Sequence, residues 1–238
     1  MLDQLLTYCL QYGGYLLQLL LLTVFTARGH WRRNIGVFLY LVVFVSVDSA
    51  IRPYTLHHYG FQSRQYLHVY WFTDVVLTIL AFALVCEFFR RACAGNDKIW
   101  QTLRPMLGFV FLLLAAISYF MIASNKDVYW HFIFQFQRNT YFTCLVLTTL
   151  LYIMMQRAEV RDEELGMLVC GMGILFAAPT AGLAGKGLLP DSAYMKILIN
   201  HISQLCMLGM LSTWWYAVAK FPNAATVRDI PATVQGLE

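Results

Sequence analysis

Apolar residues gather into seven long stretches along the chain, at about 4–27, 34–52, 66–89, 106–123, 128–156, 165–184 and 192–219. Each approaches the roughly 20 residues that an α-helix needs to cross a bilayer core. Short connectors, several of them basic, separate the stretches and leave no room for a soluble domain. The pattern predicts an all-α polytopic membrane protein: one bundle of seven transmembrane helices over 1–220, then a short irregular tail, 221–238, holding Pro222 and Pro231.

Polar residues interrupt these stretches at helical spacing. In the first, Tyr8, Gln11, Tyr15 and Gln18 share a face expected to turn into the bundle, where glutamine finds partners that lipid tails do not offer. Gly13 and Gly14 would admit a close neighbour there. In the second, Asp48 precedes Arg52 by four residues, the spacing of a surface ion pair on a helix. Pro53 is expected to end that helix, leaving RPYTLHHYGFQSRQY as the longest outer loop.

The third stretch holds Asp74 well inside its apolar run, with Tyr70 and Thr78 a turn to either side, and Glu87 near its end beside Arg90 and Arg91. Glu87, Arg90 and Arg91 read as an ion pair at the cytoplasmic interface. Asp74 has no basic neighbour in its own segment, so its partner must come from another helix. The stretch DVYWHFIFQFQRNTYF, 127–142, supplies the candidate. Asp127, His131, Gln135 and Arg138 fall on one stripe of a helix. At ~1.5 Å rise per residue, Asp74 and Arg138 each lie roughly 12–14 Å inside the outer interface. A network of Asp74, Arg138, His131 and Gln135 is expected, joined by His201 and Gln204 from the last stretch.

The fourth stretch carries no charge between Met106 and Ala123 and should face lipid or pack without polar contacts. The sixth has small residues at Gly166, Gly173, Ala177, Ala178 and Gly182, which suit tight helix packing, and Pro179, which should kink it.

Composition agrees with a membrane protein. Of 238 residues, 59% are hydrophobic and 13% charged, against about 25% charged in a soluble domain, and mean hydropathy is +0.58. The net charge of +4 sits mostly at segment ends, which favours lipid headgroups over nucleic acid as a partner. Arg28, Arg32, Arg33, Arg90, Arg91, Lys98, Arg104, Arg157, Arg161, Lys220 and Arg228 fall on one side; Arg52, Arg64, Lys126, Lys186 and Lys196 fall on the other. Positive residues stay inside, so the N-terminus is expected outside and the C-terminus in the cytoplasm. The first residues lack a basic start and a small-residue cleavage pattern, so the first stretch reads as a retained helix. Six scattered cysteines without a CxxC pair read as buried free thiols.

Candidate chemistry is sparse. His57, His58, His68, His131 and His201 fall on or near the outer side and are weak candidates for a metal ion or haem. No HxxxH or HExxH spacing accompanies them. Retinal would need a lysine midway along the last helix, where Cys206, Met207 and Leu208 stand instead; Lys196 and Lys220 are at its ends. No phosphate-binding glycine loop, acyltransferase or protease constellation occurs, and no cofactor is required by any motif.

YLLQLLLL in the first stretch, YWFTDVVLTILAFALVCEFF in the third, and QRNTYFTCLVLTTLLYIMMQ followed by GMGILFAAPTAGLA resemble an uncharacterised seven-helix membrane family of soil bacteria such as acidobacteria. The resemblance spans most of the chain and rests on diffuse apolar patterns with the YW…EFF and QR elements. In place of the acid expected soon after the YW pair, this chain has Asp74. The resemblance implies a bacterial inner-membrane protein and brings no activity with it.

Together these features point to a receptor- or sensor-like protein, or an accessory subunit of a membrane complex, with a protein partner in the membrane or at the basic cytoplasmic face. Two alternatives remain open: a haem- or metal-binding redox protein using the outer histidines, and a small transporter moving protons through Asp74, Glu87 and Arg138. The missing internal repeat weighs against the second.

Overall fold

The computed structural model describes residues 2–60, 63–94, 97–120, 128–157, 162–188 and 193–221, and among them there is no strand. The helices are α1 (Leu2–Ala27), α2 (Ile35–Ser46), α3 (Arg52–Tyr59), α4 (Arg64–Ala92), α5 (Asp97–Phe120), α6 (Val128–Arg157), α7 (Glu163–Leu188) and α8 (Ala193–Lys220), with a 3-10 turn at His30–Arg32. A π turn at Val47–Ile51 joins α2 to α3 in one rod. Seven long helical rods therefore match the seven apolar stretches. By length and hydropathy four of them, Leu6–Ala27, Ile35–Tyr59, Arg64–Ala92 and Asp97–Phe120, are able to cross a membrane.

The π turn corrects one expectation. Pro53 does not end the second rod; it sits in the first turn of α3, and the helix runs on to Tyr59. A proline lacks the N–H that an α-helix needs and crowds the carbonyl four residues back. The π turn absorbs this: Arg52 N–H bonds to Val47 O, five residues back, widening the helix where proline enters. Gly60, at φ 77°, then stops the rod in a conformation that favours glycine. The connection to α4 is correspondingly short, and Ser63 caps α4 by accepting from Tyr66 N–H at 3.1 Å.

Neighbouring rods place α1, α2–α3, α4, α6, α7 and α8 in a closed ring, in that order, with α5 outside against α6 and α4. The ring interior is the core. Leu21 and Phe25 from α1, Leu41 from α2, Val85 from α4, Leu151 from α6, Phe176 from α7 and Trp214 from α8 are fully buried. Trp214 Nε1 donates to Leu168 O at 3.0 Å, and its ring meets Tyr40 edge-on with centroids 6.0 Å apart. Outward positions such as Leu39, Phe72, Leu112, Phe120 and Leu150 are large, apolar and exposed, as lipid-facing positions would be.

Close approach occurs at glycines. A Cβ on Gly171 would stand 2.7 Å from the Trp214 ring, and one on Gly14 would stand 2.8 Å from Met207 Cε. Gly14 thus serves α1–α8 packing as expected, whereas Gly13 faces open space. On α7 the tight position is Gly171. Gly166 has no neighbour within 4 Å, and the nearest atom to Gly173 is Thr148 Oγ1 at 3.9 Å. Pro179 lies within α7, which continues to Leu188. The peripheral α5 starts earlier than expected, at Asp97, and accepts a polar contact from α6, Asn139 Nδ2 to Ser118 Oγ at 3.4 Å.

Candidate functional site

Two polar centres stand at opposite ends of the ring. The first surrounds Asp74 at the end where α1 begins. Its carboxylate accepts from Arg52 Nη2 on one oxygen and from Gln137 Nε2 at 2.9 Å on the other. Arg52 also reaches Thr73 Oγ1, with Nε at 3.4 Å, and its guanidinium lies 4.4 Å from the centre of the Tyr70 ring. Gln137 in turn reaches Tyr141 Oη at 3.5 Å.

This differs from both sequence expectations for these charges. Arg52 pairs with Asp74 and not with Asp48: both Asp48 and Arg52 face one cavity, but α4 brings the Asp74 carboxylate within ion-pair range of the guanidinium. The arginine on Asp74 is Arg52, not Arg138, and α6 contributes Gln137 instead. The reason is angular. Phe136, Thr140, Cys144, Thr148, Leu151 and Met155 form the buried face of α6. At about 100° per residue Gln137 falls within that face, and Arg138 lies one step further round. Arg138 is half-buried. The side chains of His131 and Gln135 lie outside the described residues. His201 is buried, with Nδ1 3.1 Å from Gln204 Oε1 on its own helix.

Beside this pair opens a cavity of about 450 Å³, walled by α1, the α2–α3 rod, α4 and α8. Asp48, Arg52, Tyr15, Tyr66, Tyr70 and Gln204 line it, and Gln11 stands at its edge on α1. Gln11 Nε2 donates to Tyr15 Oη at 3.0 Å, and Tyr15 Oη donates to Asp48 O at 3.4 Å. Gln18, fully buried, donates from Nε2 to Asp48 Oδ2 at 3.3 Å. Of the four polar residues on the first helix, Gln18 is buried and Tyr15 half-buried facing inward, Gln11 is exposed at the cavity edge, and Tyr8 is exposed and stacks on Tyr12.

The second centre is at the opposite end, around Glu164. This carboxylate is nearly fully buried, 2% exposed, and accepts from Asn34 Nδ2 at 2.7 Å and pairs with Arg33 Nη2 at 3.0 Å. Arg91 reaches Asn34 Oδ1, Asp162 Oδ2 with Nε at 2.8 Å, and Glu164 Oε2 with Nη2 at 3.4 Å. Asp162 caps α7 by accepting from Leu165 N–H at 3.1 Å. The expected trio of Glu87, Arg90 and Arg91 is thus divided: Arg90 Nη2 meets Glu87 Oε1 at 3.4 Å, while Arg91 turns to the acids of α7.

His30 is buried in this centre with Nδ1 3.6 Å from Glu164 Oε1, beyond a hydrogen bond, and among the described residues neither ring nitrogen has a hydrogen-bond partner. Burial pushes its pKa below the ordinary imidazole value; Glu164 opposes the shift, and Arg33 and Arg28 reinforce it. Asn34, Asp162, Glu164 and His30 were not picked out in the sequence. The signal available was the acidic run Asp162-Glu163-Glu164 opening an apolar stretch, opposite loops rich in arginine.

Among the described residues the histidine candidates do not converge, and the side chain of His131 lies outside them. His57 and His58 are exposed on α3, where His58 stacks on Tyr54 with centroids 5.9 Å apart. His68 Nδ1 contacts Arg64 O. Among the described residues no three His, Cys, Asp or Glu side chains form a group able to hold a metal. All six cysteines are free; Cys93 and Cys144 are buried, but Cys9 and Cys170 are exposed, contrary to the uniform burial expected.

Comparison with protein-family models, with curated proteins and with solved structures returns no match.

Proposed function

We propose that this chain is a receptor- or sensor-like protein of the cell membrane, with seven spanning helices, the N-terminus outside, and a ligand-binding vestibule between α1, α2–α3, α4 and α8. The observation that carries the reading is the cavity of about 450 Å³ that holds both Asp48 and Arg52. Small-molecule sites are typically about 300–1,000 Å³, mostly apolar, with a few placed polar groups. Here Leu10, Pro53, Leu56 and Met207 supply apolar wall, and Asp48, Arg52 and the glutamines supply direction. A π turn, of the kind that recurs at functional sites, builds the polar edge.

The sensor reading draws support from which rods carry the two centres. The α2–α3 rod bears Asn34 at one end and Asp48 and Arg52 at the other; α4 bears Tyr66, Tyr70 and Asp74 at one end and Arg91 at the other. A ligand that shifted either rod would act on the Glu164 centre at the basic, cytoplasmic face, where a partner would read it. With loops too short for an effector domain, that partner is a separate protein.

Native mass spectrometry of protein extracted directly from membranes tests the reading. A small co-purifying mass is expected, and Gln204→Trp, which fills the cavity from α8, should remove it. Equal occupancy in the filled variant would place the ligand elsewhere and overturn the proposal.

A further inference from the structure

We infer that the vestibule takes a small organic cation, an amine or quaternary ammonium ion, held by the Asp48 carboxylate among tyrosine rings; this rests on the ligand-binding reading above and names its ligand class. Charge decides the sign. Among the described residues three charged side chains stand in or beside the cavity: Asp48, Arg52 and Asp74. Arg52 is committed to Asp74, with Thr73 and the Tyr70 ring taking up the rest of its guanidinium. That pair is neutral as a unit, so among the described residues Asp48 sets the charge of the cavity, one negative.

The Asp48 carboxylate is met by an amide. Gln18 Nε2 donates to its Oδ2 at 3.3 Å, and among the described residues no cation lies within ion-pair range. Arg52, one turn along the same rod, turns to Asp74 of α4 and so leaves the Asp48 carboxylate on the cavity wall.

The rest of the wall selects among cations. A metal ion such as calcium takes six to eight oxygen ligands, and one carboxylate with two glutamines falls short of that. An organic cation needs one counter-charge, aromatic surface for its polarised methyl or methylene groups, and apolar contact beyond. Tyr15 and Tyr66 line the cavity, and Tyr70 already carries a guanidinium at 4.4 Å, the same interaction made within the protein. An anion would meet Asp48 head-on with Arg52 already engaged.

Isothermal titration of the full-length protein in nanodiscs of neutral lipid tests the inference. The probes are tetramethylammonium and phenethylammonium chloride, with sodium acetate and glucose as counter-probes. Saturable binding of at least one of the two cations is expected. Asp48→Asn, which keeps an acceptor for Gln18, should weaken it about tenfold or more, and Tyr15→Leu should weaken it without touching the charge. Binding of acetate or glucose that Gln204→Trp abolishes and Asp48→Asn leaves unchanged would overturn the cation class while sparing the vestibule. Cation binding unaffected by Asp48→Asn and Tyr15→Leu would likewise overturn the class. No binding by any probe overturns the inference; the vestibule itself falls only if the membrane-extracted mass is also insensitive to cavity filling.

Discussion

Arg52 donates to Asp74 across two helical rods, 22 residues apart in the chain, and among the described residues leaves Asp48, four residues behind it, without an ion pair. This contact ties the π turn of the second rod to the middle of α4 and shapes the vestibule edge. At 20% and 14% exposure both side chains are largely removed from water, and a charge stranded by loss of its partner would cost about 3 kcal/mol or more. Arg52→Gln or Asp74→Asn alone should each lower thermal stability in detergent, and the double variant should recover part of the loss. The coupling from this cycle should be about 1–3 kcal/mol. Pairing Asp74→Asn with Arg138→Gln should give coupling near zero.

Glu164 is the hub of the opposite centre, joined to Asn34, Arg33 and Arg91. Glu164→Ala would leave those donors without their shared acceptor in a buried setting, at a cost of about 3–5 kcal/mol. Glu163→Ala, one residue away and exposed, should cost little. Thermal unfolding of both variants checks this, and a similar loss in the two would refute the assignment.

Burial keeps His30 neutral, so acid acts against this centre. The folded-state pKa lies below the unfolded value of ~6.5, and the unfolded chain therefore binds the proton first as pH falls. Stability from the neutral His30 is fully present above about pH 6.5 and is lost as pH falls from there toward the folded pKa. The stability difference between the protein and His30→Gln should shift against the protein between pH 7.5 and 5.5, measured as apparent melting temperature. A constant difference across that range would show that His30 protonates alike in both states.

Packing of α7 on α8 rests on the absence of a side chain at Gly171. A Cβ there would meet the Trp214 ring at 2.7 Å and Met210 O at 3.3 Å. Trp214 is fully buried and held by Leu168 O, so it has little room to give. Gly171→Ala should cost about 1–3 kcal/mol by overpacking. Gly166→Ala, with no neighbour within 4 Å, should be neutral or slightly stabilising through helix propensity. Paired thermal melts distinguish the two positions.

Much of this was legible in the chain itself. Apolar run length located all seven rods, and the polar face of the first helix pointed Tyr15 and Gln18 inward, with Gln11 at the rim of the cavity. Equal depth correctly placed α6 beside Asp74. What depth could not supply was rotation: one residue along α6 turns the side chain by about 100°, and that step exchanges Arg138 for Gln137. The Asp48–Arg52 spacing misled because the two do share a face, but a carboxylate from another helix, Asp74, takes the arginine. The Glu164 centre was harder still. Its members come from one loop, the end of α4 and the start of α7, and no local spacing joins residues 130 positions apart.

The proposed function requires that the vestibule open to water on the outer side. Gln11 stands at its edge and is exposed. Gln11→Cys in a Cys9→Ser background, treated in intact cells with a membrane-impermeant thiol reagent, tests this directly. Labelling above the Cys9→Ser parent without permeabilisation, slowed by tetramethylammonium, is the expected result. Labelling only after the cells are opened, or none at all, would contradict it.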